Sequence, residues 1–134
     1  MPALKKGGRG PKARGDHYER EVAKYLNDTL GLSAFRTPLS GGGTIAKGNS
    51  SADITGTPGI ALECKRCERL DIPAWMAQAR KSCDISQTPD IPVIVTRKNR
   101  QTTGQSLVIL SLDEFLPFYA AWLRERGYIK KPET

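Results

Sequence analysis

The stretch Ser51-Ala52-Asp53-Ile54-Thr55, the break Gly56-Thr57-Pro58-Gly59 and the run Ile60-Ala61-Leu62-Glu63-Cys64-Lys65-Arg66 decide how the rest of the chain is read. Two short β-branched runs around a Gly/Pro break predict a pair of strands, the first carrying Asp53 and the second Glu63 and Lys65. Side chains on a strand alternate between faces, so Ile60, Leu62 and Cys64 turn one way and Ala61, Glu63 and Lys65 the other. Ala52 and Ile54 likewise oppose Ser51, Asp53 and Thr55. Two carboxylates and one ammonium then converge on one face, with an apolar face behind them. Such a cluster suits a hard divalent cation. Mg²⁺ takes oxygen ligands and keeps several waters, so two carboxylates and a substrate phosphate are enough to hold it. The ion activates water and neutralises charge on a phosphoryl group. Lys65 is then placed to orient the water or to stabilise the charged phosphorus. A solvated strand face with an ordinary cross-strand ion pair has the same pattern, so the remainder of the chain must decide.

Bulk composition favours a phosphate-binding partner. The chain has 134 residues, enough for one domain with a real core, and 21 Lys and Arg against 14 Asp and Glu give a net charge of +7. A polyanion is the natural partner of such a surface, because neutralising phosphates releases counterions. No apolar run approaches the length of a membrane span and no signal-peptide pattern is present, so the expectation is a soluble cytoplasmic protein with no membrane partner. Three cysteines, an odd number, argue against a disulfide framework. Cys64 and Cys67 form a C-x-x-C that Cys83 and His17 would have to complete for zinc, but Cys64 points to the predicted core and the second pair lacks regular spacing.

Residues 1–14 hold the five basic side chains Lys5, Lys6, Arg9, Lys12 and Arg14 among glycines and prolines, and read as a flexible basic arm that lies on nucleic-acid phosphates. Gly15 to Leu30 is the first expected helix: Tyr18, Val22, Tyr25 and Leu26 share one face, Asp16 is the N-cap and Gly31 the stop. Glu19, at the edge of the apolar stripe, reaches inward while Glu21 faces solvent. His17 is an exposed first-turn residue. Leu32 to Thr37 is expected as a strand, followed by a long glycine-rich loop from Pro38 to Ser50 whose glycines permit close approach to a phosphate backbone and whose Lys47 adds charge. Its spacing fits neither a P-loop nor a dinucleotide fingerprint.

A helix opening Gly15-x-x-Tyr18-Glu19-Arg20-Glu21, a strand leading to Ser40-Gly41, then Asp53 and Glu63-x-Lys65 resembles the archaeal-type Holliday junction resolvases of the PD-(D/E)XK nuclease superfamily, some of them phage-borne. The resemblance spans roughly residues 15–97. It implies that Asp53 and Glu63 bind the metal, with the Cys64 backbone carbonyl as a further ligand, and that Lys65 is the catalytic lysine. It also implies that Glu19 supports the metal or the water, that Ser40 lies near the scissile phosphate and that Gln78 stands behind the metal ligands. Two departures from the pattern are Ala52 in place of proline, which many members also lack, and a longer loop between Ser40 and Asp53, which leaves Ser50 and Ser51 as alternatives to Ser40.

Past the lysine, Arg66 and Arg69 extend the site face. Ile72 to Cys83 is expected as a helix with Pro73 in its first turn and Trp75, Met76, Ala79 and Cys83 facing the core. Ile91 to Thr96, almost wholly apolar and β-branched, reads as a central strand buried on both faces. Arg97 and Lys98 begin a basic loop suited to phosphate contact, alongside Arg20 and Arg36. Gln105 to Leu110 is a further strand. Ser111 caps a last helix whose Leu112, Phe115, Leu116, Tyr119, Trp122 and Leu123 form an apolar stripe. That stripe is expected to be core first, with width for a dimer contact, and Pro117 to kink or restart the helix. Arg124 onward reads as a frayed basic end.

The expected whole is an α/β protein: a mixed central β-sheet flanked by helices, the PD-(D/E)XK restriction-endonuclease-like fold, with an arm at 1–14, one domain at 15–126 and a tail at 127–134. The expected function is a Mg²⁺-dependent endonuclease, with Mn²⁺ able to substitute, that resolves four-way DNA junctions as a homodimer in the cytoplasm, the host's if the chain is phage-borne. The rival readings are a nuclease of the same superfamily acting on nicked, flapped or duplex DNA, and a non-catalytic basic nucleic-acid-binding protein.

Overall fold

The computed structural model describes residues 11–38 and 52–133. Helix α1 (Pro11–Leu30) leads into five strands, β1 (Phe35–Arg36), β2 (Ile54–Thr55), β3 (Ile60–Lys65), β4 (Ile91–Thr96) and β5 (Leu107–Ile109). Helix α2 (Ile72–Ser86) joins β3 to β4, and α3 (Leu112–Glu125) follows β5. The strands lie in chain order in one mixed sheet, antiparallel except for the β3–β4 pair. A parallel pair needs a long crossover, and α2 provides it.

The predicted alternation on β3 organises the two sides of this sheet. Leu62 and Cys64 pack with Val93 and Val95 under Tyr18, Val22 and Ala23 of α1. On the other side Ala61 packs with Ala52 and with Cys83 of α2. The antiparallel register of Ile54 with Leu62 puts Ile54 on the α1 side. Strand β4 runs over the six residues expected of it, and five of them are buried because helices cover both faces. The β2–β3 connection presses on the chain before β1: a Cβ at Gly56, whose φ is +96°, would stand 2.7 Å from the Ser33 carbonyl oxygen, so only glycine fits.

Several boundaries differ from the sequence expectation. Helix α1 begins at Pro11, so Asp16 is not an N-cap but lies inside the helix, where its carboxylate accepts from Arg36. Lys12 and Arg14 belong to the start of this helix, and the rest of the expected arm lies outside the described residues. Gly31 does end α1, with φ +72°. Strand β1 is two residues long instead of six, and the loop from Leu39 to Ser51 lies outside the described residues. Helix α2 continues to Ser86, with Ala79 and Cys83 buried as expected and Trp75 and Met76 only half-buried.

The largest difference concerns α3. Ser111 caps it as expected, its hydroxyl accepting from the Glu114 amide, and the helix runs through Pro117 without a restart. Yet no residue of α3 is buried, so its apolar stripe is not core. The helix departs from the edge strand β5 instead of folding back over the sheet. Beyond it the chain turns at Gly127, and Tyr128 returns to donate its amide to the Leu123 carbonyl and to stack on Trp122, where a frayed end was expected.

Candidate active site

Asp53 sits immediately before β2, and its backbone is held from both sides: its amide donates to the Leu62 carbonyl at 2.9 Å and its carbonyl accepts from the Thr37 amide at 2.8 Å. The side chain then reaches along β3, where Oδ2 accepts from the Cys64 amide at 2.8 Å. A backbone amide thus aims this carboxylate at the residue between Glu63 and Lys65. Glu63 is half-buried, faces the α2 side of the sheet and lies close beside the Asp53 carboxylate. Two carboxylates side by side repel each other unless a proton or a cation neutralises one of them. Burial, followed by the charge of Asp53, pushes the Glu63 carboxyl up to about 8, against the weaker downward pull of the Lys65 ammonium.

Lys65, the last residue of β3, is half-buried and in register with Thr96 of β4. The Thr96 side chain is buried there with its hydroxyl oxygen unpartnered, beside the lysine. Cys64 lies on the opposite, α1 face, and burial pushes its thiol well up, aided by the charges of Asp53, Glu19 and Glu63. Cys83 is in the core on the α2 side and Cys67 is exposed, so the three cysteines do not meet. Their positions do not assemble the zinc set that the C-x-x-C spacing suggested.

Glu19 comes to the site from α1. Burial first, and then the Asp53 charge, raise its pKa, while Arg36 opposes them. The Arg36 Nε donates to Glu19 at 2.7 Å and its terminal nitrogen to Asp16 at 2.8 Å. One guanidinium therefore holds two α1 carboxylates against β1, and Glu19 reaches inward as its place on the helix predicted. Arg36, expected at the phosphate surface, is committed to this pair instead.

A second cluster, missed from the sequence, lies further along the same helix. Glu21 was expected in solvent but accepts from Arg97 at 3.0 and 3.1 Å, from the Thr103 hydroxyl at 2.9 Å, and pairs with His17 at 3.0 Å. Arg97, expected to contact phosphate, has a side chain only 10% exposed and lies over the Tyr18 ring. Tyr18 in turn bonds Ser106 at 2.6 Å, and burial pushes its hydroxyl up to about 12. No local pattern announces bonds between residues more than 70 positions apart in the chain.

Of the other expected nucleic-acid contacts, Arg20, Arg69 and Lys98 are exposed, and Arg66 is half-buried with its Nε buried and unpartnered. Gln78 is exposed on α2. Ser40, Lys47, Ser50, Ser51, Lys5, Lys6 and Arg9 lie outside the described residues, and of Lys12 and Arg14 only the helical backbone is described.

Among the described residues, no three His, Cys, Asp or Glu side chains form a ready-made metal cage. The Asp53–Glu63 pair nonetheless fits a hard cation: its donors are carboxylate oxygens, one is fixed by a backbone amide, and the Lys65 ammonium only partly offsets the charge of the two.

A mixed sheet with helices on both faces, carrying Asp53 before one strand and Glu63-x-Lys65 along the next, defines the class of PD-(D/E)XK nucleases. Residues 10–129 match the family model described as "Phage putative PDDEXK endonuclease", and the chain belongs to that family. No curated protein and no solved structure is matched by the chain. Among the described residues no helix is long and apolar enough to cross a membrane.

Proposed function

We propose that this nuclease is a metal-dependent, structure-selective DNA endonuclease that resolves four-way junctions by two symmetric phosphodiester cuts. The observation that carries the reading is the Asp53–Glu63 pair, two half-buried carboxylates side by side near Lys65, with Asp53 aimed by the Cys64 amide. Mg²⁺, or Mn²⁺ in its place, supplies the charge neutralisation and water activation that phosphodiester hydrolysis needs. Asp53 and Glu63 hold the ion, with the Cys64 carbonyl alongside. Lys65 supplies a positive charge where the phosphorus becomes more negative, which stabilises the transition state more than the ground state. Glu19, oriented by Arg36, supports the ion or the attacking water, and Ser40 approaches the scissile phosphate. Gln78 acts from behind the ligands.

Two symmetric cuts need two such sites and the described residues carry one set, so the active species is a two-fold homodimer on branched DNA. The net charge of +7 supports a phosphate-rich partner, with Arg20, Arg66, Arg69 and Lys98 as contacts and the basic residues of 1–14 and Lys47 adding to them. The reaction belongs in the cytoplasm, the host's for a phage-borne chain.

The test is incubation with labelled four-way junction, flap, linear duplex and single-stranded DNA, each with Mg²⁺ and with EDTA. The expected result is paired symmetric nicks on the junction, abolished by EDTA. Equal cutting of linear duplex would overturn the junction reading. Asp53→Ala should lower cleavage by at least about a thousandfold while junction binding survives.

A further inference from the structure

The end of the molecule away from this site carries a surface that the fold leaves bare. Leu112, Phe115, Leu116, Phe118, Tyr119 and Trp122 of α3 are 42–69% exposed, and Leu107 and Val108 of β5 are more than half exposed. Between helix and sheet lies a cleft of about 640 Å³, lined by Val93, Val108 and Leu110 on one side and Leu112, Phe115 and Phe118 on the other. The rings of Phe115, Tyr119, Trp122 and Tyr128 run along the helix as one stack, with centroids 5.8, 6.3 and 5.9 Å apart.

We propose that this face is closed by the same face of a second copy of the chain, across a two-fold axis that sets the two α3 helices antiparallel. The inference rests on the homodimer reading above and specifies its interface. Area is the first argument. Together with Tyr128 and Ile129, these side chains expose roughly 1,000 Å² per chain, against the about 800 Å² per partner of a standard stable interface. A patch of that size exceeds what a monomer ordinarily leaves in water.

Charge is the second argument, and it selects the occupant. Residues 115–123, Phe-Leu-Pro-Phe-Tyr-Ala-Ala-Trp-Leu, contain no charged side chain although the chain has 21 Lys and Arg; Arg126 lies over the Trp122 ring at 4.9 Å, at the C-terminal end of the stack, so the middle of this face offers nothing to a phosphate backbone. At the helix ends, Asp113 and Glu114 lie in the first turn and Arg124 in the last. An antiparallel pair crossing near Phe118 and Tyr119 sets the acidic end of each helix beside the Arg124 end of the other. An isologous contact of this kind satisfies both ends at once, as a two-fold interface must.

Sedimentation velocity of the full chain at micromolar concentration, without DNA, should give twice the 14.7 kDa of one chain. Phe118→Asp should give a monomer with an unchanged circular dichroism spectrum. Asp113→Arg and Arg124→Asp should each weaken self-association about tenfold or more, and the double variant should recover most of it. A wild-type monomer, a dimer indifferent to Phe118→Asp, or a double variant no better than the singles would each overturn the assignment. Cleavage is scored separately: a dimer that ignores junctions defeats the resolvase reading and keeps the interface, whereas a wild-type monomer that still nicks DNA does the reverse.

Discussion

Helices α1 and α3 carry comparable apolar stripes and meet opposite fates. Tyr18, Val22 and Ala23 of α1 are buried against β3 and β4, and its acids point inward to Arg36 and Arg97. Helix α3 buries nothing and is tied to the body by the exposed pair of Arg80 and Glu114. The difference follows from where each helix joins the sheet: α1 crosses its middle strands, while α3 leaves from the edge strand. Periodicity tells that a helix has a face to be covered; topology decides whether the same chain can cover it.

Substitution at matched positions gives the sharpest way to break this contrast. Tyr18→Ala should cost about 3–5 kcal/mol of unfolding free energy, through lost packing and the lost bond to Ser106, whereas Phe118→Ala in a dilute monomer should cost well under about 1 kcal/mol. Equal costs in urea denaturation would mean that α3 is core after all. The anchors should differ in the same direction. Arg97→Met leaves Glu21 half-buried without its main cation and should cost about 2–3 kcal/mol, measured by thermal unfolding.

The site beside α1 should also report through pH. With its pKa raised to about 8, the Glu63 carboxyl in the folded, metal-free chain keeps a proton that the unfolded chain loses near pH 4.5. Its stabilising contribution is therefore full below about pH 4.5 and declines as pH rises towards 8, by roughly a few kcal/mol. Glu63→Gln should flatten that slope in EDTA, and Mg²⁺ should raise the wild-type melting temperature most at the alkaline end. Identical pH profiles for the two proteins would remove the buried carboxylate pair from the argument. The smallest effect is expected at the α3 tether, where Arg80→Ala should change stability by no more than about 1 kcal/mol, because the pair lies in solvent.

The sequence was most readable where local chemistry dictates structure. The β-branched run at 91–96 defined β4 to the residue, and alternation along β3 assigned Glu63 and Cys64 to opposite faces. Inward placement of Glu19 followed from its position beside Tyr18. Glu21 was misplaced because its partners, Arg97 and Thr103, arrive from the far end of the chain after β4, and helical periodicity carries no trace of them. Arg36 and Arg97 looked like phosphate contacts because a basic side chain in a basic protein has no local mark of an internal partner. The stripe on α3 was read correctly as apolar and wrongly as core for the reason the two helices illustrate.

The distribution of the three thiols has a practical consequence. Cys64 and Cys83 are shut inside the two cores with their ionisation suppressed by burial, while Cys67 lies in the open two residues beyond Lys65. A maleimide dye added to the native protein should attach at Cys67 alone. That places a fluorescent reporter at the rim of the carboxylate pair without any engineered cysteine, ready to register the arrival and departure of DNA in real time.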